Sequence, residues 1–292
     1  MLKSATVAVV GRPSSGKSTL VNALCGGKVS IVSPVPQTTR NRVRGILTAP
    51  AGQLVFIDTP GFHLSEKKLN QYMGSLVNAA LAEVDVVLYL LDGTREPGTE
   101  ERALIDAVRT AAKPAVACVS KKDLESESRE LVRRVAAQEL PGARLLEASA
   151  LTGEGLDGLR EALFQLSPEG EQLYPPDYYT DQTPEFRISE IVREKAMLQT
   201  REEVPHALYV RIEDLEMRQE GAFLQARGFI CVERESQKGI VVGRGGEKIH
   251  TIVSEAEREL AEIFPYPVRL DIRVKVDREW RKRDPLLRRL IQ

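Results

Sequence analysis

Short apolar runs alternate with stretches of helical period through the first part of the chain. ATVAVV (5–10) is continuously apolar and is followed by a glycine-rich turn and a helix-type pattern from about Lys17. RGILTA, QLVFID, VDVVLYLL, PAVACVS and ARLLEAS repeat the strand signal, with helical stretches between most of them. Strands that are apolar on both faces and separated by helices predict a mainly parallel sheet covered on both sides. RGILTA and QLVFID are joined only by Pro50-Ala51-Gly52, too little chain for a crossover, so that pair is predicted antiparallel and at one edge. The pattern defines a doubly wound α/β domain over residues 1–170.

SPEGEQLYPPDYYTDQTP (167–184) has no period and contains four prolines, so 171–184 reads as a linker, pinned if at all by its tyrosines. Beyond it come a helix (about 185–200), two strands (207–214 and 227–235), a glycine-rich turn, a long helix and the strand VRLDIRVKV. In the long helix Ile249, Ile252, Val253, Ala256, Leu260 and Ile263 keep a 3–4 spacing, so one face packs inward. Residues 185–292 are therefore a second, smaller α+β domain with a basic tail.

Hydrophobic residues at 42% and charged residues at 28% are ordinary for a globular protein. No apolar run approaches the roughly 18 residues of a membrane span, and MLKSATVAVVGR lacks the layout of a cleavable signal. Cys25, Cys118 and Cys231 are scattered without paired spacing, as expected of reduced, buried thiols in a cytosolic protein. A net charge of −1 argues for no polyanionic partner by itself, yet 273–289 carries eight basic groups against three acidic ones. That run suits either phosphate contact or a solvated helix face. Trp280 within it reads as packing, and His63, His206 and His250 lack ligand-like spacing.

Gly11-Arg-Pro-Ser-Ser-Gly16-Lys17-Ser18 fits G-x-x-x-x-G-K-[ST], after a strand and before a helix. In that context the glycines let the backbone amides of Ser14, Ser15, Gly16 and Thr19 turn toward phosphate, and the helix N-terminus adds positive dipole. Lys17 is expected to reach the β- and γ-phosphates and Ser18 to ligate Mg²⁺. Asp58-Thr59-Pro60-Gly61 ends the strand QLVFID, at the strand end where open α/β sheets bind ligands. Asp58 there can hold Mg²⁺ through water while the Gly61 amide faces the γ-phosphate. The polar stretch Ser33–Arg40 lies between, and its hydroxyls can complete the metal shell when a γ-phosphate is present. Thr39 is the first choice and Thr38 the second.

Ser120-Lys121-Lys122-Asp123 follows PAVACVS. The Asp123 carboxylate can accept from guanine N1–H and the 2-amino group, and adenine, lacking both donors, would leave it unpaired. Lys121 can cover the base with its stem. Ser149-Ala150-Leu151, after the last strand, can present the Ala150 amide to guanine O6.

GRPSSGKST, QTTR, DTPG, SKKD and SAL, in that order, resemble the five signature motifs of translation-factor-type GTPases. QTTRNR, DTPGF and ESQKGIVVGRGGEKIHTI together resemble the Era family of bacterial ribosome-assembly GTPases over essentially the whole chain. The resemblance implies GTP and GDP as ligands, Mg²⁺-dependent hydrolysis with Lys17, Thr39 and Gly61 in catalytic positions, and a C-terminal type II KH domain. It departs from the family pattern at Ser120, where asparagine is usual, which bears on the guanine N7 contact and on bracing of the phosphate loop. Ser14 likewise replaces an asparagine associated with potassium-assisted hydrolysis. Phe62 stands where many small GTPases carry a water-orienting glutamine; an apolar residue there is shared with the Era family and implies slow hydrolysis.

Gly243-Arg244-Gly245-Gly246 precedes the long helix. Alone, G-x-x-G reads as a helix cap; within an α-β-β-α-α-β order it resembles the KH turn that clamps about four unpaired nucleotides. Arg244 and Lys248 are candidate phosphate contacts, and Ile240, Val241, Ile249 and Ile252 are candidates for an apolar groove floor or for core. The family resemblance implies the 3′ end of 16S ribosomal RNA and the 30S subunit as partners. It also implies a cytoplasmic protein whose contact with the inner membrane face, where it occurs, is peripheral, and no stable oligomer. Two rivals stand beside this reading: a P-loop kinase or ATPase, opposed by SKKD and SAL, and an RNA-binding protein with little hydrolysis, opposed by Lys17, Ser18 and Asp58.

Overall fold

The computed structural model describes residues 1–64 and 67–291. Two compact units emerge, Met1–Asp181 with Arg288–Gln292, and Gln182–Leu287. In the first, the elements follow in the order β1 (Lys3–Gly11), α1 (Lys17–Cys25), β2 (Val43–Ala49), β3 (Gly52–Asp58), α2 (Lys68–Glu83), β4 (Val86–Asp92), α3 (Thr99–Ala111), β5 (Ala115–Ser120), α4 (Ser128–Glu139), β6 (Arg144–Glu147) and α5 (Leu156–Leu166). Among the described residues these strands form one sheet in the order β2-β3-β1-β4-β5-β6. Only the β2–β3 pair is antiparallel, with Val43 opposite Asp58, as the three-residue connection requires.

β3 and β4 are buried along their whole length, consistent with helices on both faces. One core cluster joins Ala8 and Val10 of β1, Val87, Tyr89 and Leu91 of β4 and Ala117 and Val119 of β5 to the inner faces of α2, α3 and α4. Each large apolar side chain so buried contributes roughly 1.5–3 kcal/mol. The chain order reverses at β1, whose neighbours are β3 and β4, so the crevice beyond its carboxyl end lies at the switch point of the sheet.

The linker expected over 171–184 is displaced. Residues up to Asp181 belong to the first unit, because two features of the β2–β3 edge hold them. The fully buried Gln53 side chain donates to the Tyr174 carbonyl at 2.9 Å and accepts the Leu173 and Tyr174 amides at 2.8 and 2.9 Å. The open edge of β2 then takes main chain, with Ile46 N–H donating to the Tyr179 carbonyl at 2.9 Å. The tyrosines are anchored chiefly through their backbone, a capture invisible to the composition of the segment.

The second unit contains α6 (Pro184–Leu198), α7 (Val204–Ala207), β7 (Tyr209–Arg218), β8 (Phe223–Val232), α8 (Glu235–Val242), α9 (Glu247–Ile263), β9 (Val268–Val276) and the start of α10 (Asp284–Leu290). Its sheet runs β7-β8-β9, with β7–β8 antiparallel and β8–β9 parallel. α6 begins at a Thr183 cap and Pro184, a favoured start signal. The α9 stripe splits by depth: Ile252, Ala256 and Leu260 are buried, and Ile249, Val253 and Ile263 are half-buried. Trp280 is buried, its indole donating to the Ala207 carbonyl at 2.8 Å and its ring edge-on to Tyr209. It is a packing residue.

Candidate functional site

Gly11 ends β1 and the loop 12–16 turns back over the strand end to start α1 at Lys17. Left-handed backbone at Ser14 (φ 64°) and Gly16 (φ 93°) folds the loop into a concave nest of amides. Lys17 is buried and its ammonium donates to the carbonyls of Gly11 (3.1 Å) and Arg12 (2.9 Å). Burial lowers its pKa to about 8, against the opposing pull of Asp58 and Glu101. Incoming phosphate oxygens would replace neutral carbonyls with charged acceptors, so the lysine gains most once a ligand is present.

Three residues assigned to the metal meet at one point. Ser18 Oγ lies 2.7 Å from Thr39 Oγ1 and donates to Asp58 Oδ2 at 2.7 Å. Asp58 is fully buried, its pKa raised by burial against the hydroxyls of Ser30 and Ser18 and the charge of Lys17. The Ser30 hydroxyl stands close enough to stabilise the carboxylate, yet neither it nor the second carboxylate oxygen, Oδ1, has a well-aligned hydrogen-bond partner among the described residues. An orphaned carboxylate oxygen beside two converging hydroxyls is an all-oxygen donor set that suits Mg²⁺. The choice between the neighbouring threonines is geometric: Thr38 Oγ1 is bound within its own loop, 2.6 Å from both the Val35 carbonyl and Ser33 Oγ, whereas Thr39 faces Ser18.

Gly61 packs on the phosphate loop so closely that a Cβ would stand 2.6 Å from Pro13 Cα. Phe62 N–H donates to the Gly11 carbonyl at 3.1 Å and the Phe62 ring packs against the core, so its side chain offers water no polar group. His63 pairs with Glu100 of α3. A cleft of about 250 Å³ runs over these elements, lined among others by Ser14, Lys17, Ser18, Thr39, Gly61 and Lys121.

On the base side Ser149, fully buried, donates to Asp123 Oδ1 at 2.5 Å and fixes that carboxylate, which is otherwise exposed. Ala150 is half-buried and Leu151 is 80% exposed, so the loop after β6 lies at the surface. Ser120 Oγ lies 2.8 Å from the Ser15 carbonyl and 3.0 Å from the Leu91 carbonyl. The shorter side chain therefore still ties the base strand to the phosphate loop. Its single hydroxyl proton is engaged there.

Sequence reasoning missed the residues behind this surface. Asp92, at the end of β4, is 1% exposed and receives Lys121 Nζ at 2.7 Å. Arg129 of α4 donates to the Lys121 and Leu124 carbonyls at 2.7 Å. Arg12 lies 2.5 Å from Glu101, which also accepts from Tyr89. The position of Asp92 at a strand end, matching that of Asp58, is the one signal in the sequence that could have found any of them.

In the second unit Gly243 adopts φ 74°, ψ 174°, a region essentially closed to other residues, and a Cβ there would stand 2.7 Å from Lys248 Cβ. Gly245 (φ 61°) and Gly246 (φ 85°) follow, and no atom lies within 4 Å of the space a Cβ would fill at either. Arg244 is exposed and Lys248 half-buried. Of the four candidate floor residues, Val241 and Ile252 are fully buried and belong to the core, while Ile240 is 41% exposed and Ile249 half-buried. The basic run is compensated in part: Arg281 pairs with Glu233, Lys282 with Glu279 and Arg283 with Asp277.

The model of the family described as 50S ribosome-binding GTPase matches residues 6–121, and a KH domain model matches 203–281. The chain is 46% identical to GTPase Era of Treponema denticola, covering 99% of each chain. Against GTPase Era of Borreliella afzelii the identity is 40%, over 99% of this chain and 100% of the relative. Two crystal structures superpose with a TM-score of 0.94 at 35% identity, covering 99% of both chains: a single-residue variant of Aquifex aeolicus Era bound to GDP.AlF4⁻, and Era in complex with MgGDPNP and nucleotides 1506–1542 of 16S ribosomal RNA.

Proposed function

The chain belongs to the Era family of GTPases, and from that membership we propose that it hydrolyses GTP slowly, with Mg²⁺, while binding 16S ribosomal RNA near its 3′ end during assembly of the 30S subunit. The observation that carries the nucleotide half is the meeting of Ser18, Thr39 and the orphaned carboxylate of Asp58 beside the buried Lys17. The open GRGG turn, and the relative whose structure holds 16S nucleotides, support the RNA half.

Ser18 and Thr39 would hold Mg²⁺ directly and Asp58 through water, and the ion would neutralise charge on the phosphate oxygens. Lys17 and the amides of 14–19 bind the β- and γ-phosphates. Hydrolysis forms a bond from a water oxygen to the γ-phosphorus and breaks the β–γ bridge. The bridging electron pair leaves on GDP and the water protons pass to the released phosphate. With Phe62 turned into the core, orientation of that water falls to backbone around Thr39 and Gly61, which accounts for a low rate. Loss of the γ-phosphate would release Thr39, and the 33–40 loop with it. We assign the protein to the cytoplasm, with membrane contact peripheral.

Single-turnover hydrolysis of GTP with and without Mg²⁺ tests the first half, and no Mg²⁺-dependent phosphate release would sink it. Crosslinking and sequencing of bound cellular RNA, with a GTP analogue and with GDP, tests the second. Reads that do not concentrate at the 16S 3′ end would refute that target.

A further inference from the structure

β4 lies between β1, which delivers the phosphate loop, and β5, which delivers the base-reading segment. Leu90 is paired with Gly11 on one side and Asp92 with Ser120 on the other. The chain leaving β4 must therefore pass between the two halves of the nucleotide site. We propose that this connection, residues 92–101, is a brace in which Asp92 and Glu101 are positioning residues, one for the base side and one for the phosphate side.

On the base side the Asp92 carboxylate is satisfied at both oxygens: Oδ2 by Lys121 Nζ at 2.7 Å, and Oδ1 by the Thr94 amide (3.0 Å) and hydroxyl (2.6 Å). Lys121 itself has φ 58°, an uncommon conformation for a non-glycine residue, and Arg129 holds its carbonyl. Gripped at its backbone and at its ammonium, Lys121 has its aliphatic stem fixed as a wall of the cleft. A wall fixed before the ligand arrives costs no side-chain ordering on binding.

On the phosphate side Arg12 leaves the loop, pairs with Glu101 and donates to the Glu96 carbonyl at 3.2 Å. Tyr89 donates to the other Glu101 oxygen, and Arg12, Glu101 and Tyr89 are all buried. The Arg12 carbonyl accepts both the Ser15 amide (3.3 Å) and Lys17 Nζ (2.9 Å). Anchoring the Arg12 side chain thus fixes the residue on which the loop turns. Asp92 and Glu101 stand behind the cleft-lining residues and act through Lys121 and Arg12.

A double-mutant cycle separates positioning from bulk stability. The inference rests on the nucleotide site proposed above, so the parent and Lys17→Ala are measured first; GDP binding unaffected by Lys17→Ala would fault that site, not the brace. With GDP as probe, Asp92→Asn and Lys121→Ala are each expected to weaken binding about tenfold, and the double variant no more than about twofold beyond Lys121→Ala alone. Losses that add in full, or a folded Asp92→Asn that binds GDP as the parent does, overturn the base arm. Glu101→Gln and Arg12→Met form the matching cycle for the phosphate arm, with the same expectation and the same overturning result. Should Asp92→Asn or Glu101→Gln fail to fold, Thr94→Val and Tyr89→Phe remove one hydrogen bond from each arm and leave both ion pairs. Each is then expected to weaken GDP about threefold, an effect that vanishes on Lys121→Ala or Arg12→Met respectively; persistence there, or no loss at all, rejects the brace.

Discussion

The phosphate loop between β1 and α1 and the GRGG turn between α8 and α9 both put left-handed backbone just ahead of a helix, yet their surroundings are opposite. A Cβ at Gly11 would meet the Leu90 carbonyl at 2.5 Å and Ser15 Oγ at 2.7 Å, whereas Gly245 and Gly246 look into open space. The cation of the first turn, Lys17, is buried and already bonded to carbonyls; that of the second, Arg244, stands exposed. One turn is shaped by the protein before any ligand arrives. The other offers a bare stretch of backbone against which a chain of phosphates can lie. A walled turn concentrates affinity in a few residues, and an open one spreads it thinly.

The largest expected effect follows from the walled turn. Lys17→Ala removes the buried ammonium from the phosphate loop, so affinity for GTP should fall at least about 100-fold, ~2.8 kcal/mol at 1.4 kcal/mol per factor of ten. Affinity for RNA measured on the same preparation should be unchanged. A loss of less than about fivefold by fluorescence titration would mean that the amides of the nest, not the lysine, dominate phosphate binding.

The next effect concerns which base the site accepts. Ser149 fixes the Asp123 carboxylate at 2.5 Å, so the acceptor is oriented in advance. Asp123→Asn should cost at least about tenfold in GTP affinity and gain a comparable factor for XTP, because an amide can donate to the xanthine 2-oxo group. Competition of the two nucleotides on wild type and variant measures both. Unchanged GTP affinity with no gain for XTP would remove Asp123 from the base site.

What the sequence made legible divides along similar lines. Motif residues that touch ligand, such as Lys17, Ser18 and Asp58, carry fixed spacing because the chemistry demands it, and they could be named from the chain. The antiparallel edge was legible because Pro50-Ala51-Gly52 is too short for anything else. Glu101 and Arg129 were not legible, and Asp92 only through its place at a strand end, since a residue that acts on another residue needs only proximity in space, which any spacing can supply. The end of the first unit was misjudged for the same reason. Nothing in EQLYPPDYYTDQ announces that a buried glutamine on a strand far earlier in the chain will hold Leu173 and Tyr174. Val241 and Ile252 were offered as groove or core because period alone gives the face and not the depth.

The open turn predicts a smaller and more selective effect. Gly245→Asp places a carboxylate where phosphates approach, and the free protein has room for it apart from the left-handed backbone, which aspartate tolerates better than most residues. Binding of a single-stranded fragment of the 16S 3′ end should fall at least about tenfold, ~1.4 kcal/mol, while GDP affinity stays within about twofold. Circular dichroism checks that the variant is folded. Parent-like RNA binding by a folded variant would reduce GRGG to a helix cap.

The smallest expected effect tests how thinly the open turn spreads its affinity. Arg244 is exposed, so its charge is solvated before RNA arrives and the gain on meeting a phosphate is correspondingly modest. Arg244→Ala should weaken the same RNA fragment by only about threefold at moderate salt. The more diagnostic quantity is the slope of log affinity against log salt concentration, which each phosphate contact on a single strand steepens by about 0.7. The variant should lose roughly that amount and no more. A loss in affinity without any change in slope would mean that Arg244 contacts a base or packs against the turn. A loss of several units in slope would mean that one arginine organises the surrounding cations, and that the open turn is built more like the walled one than its exposure suggests.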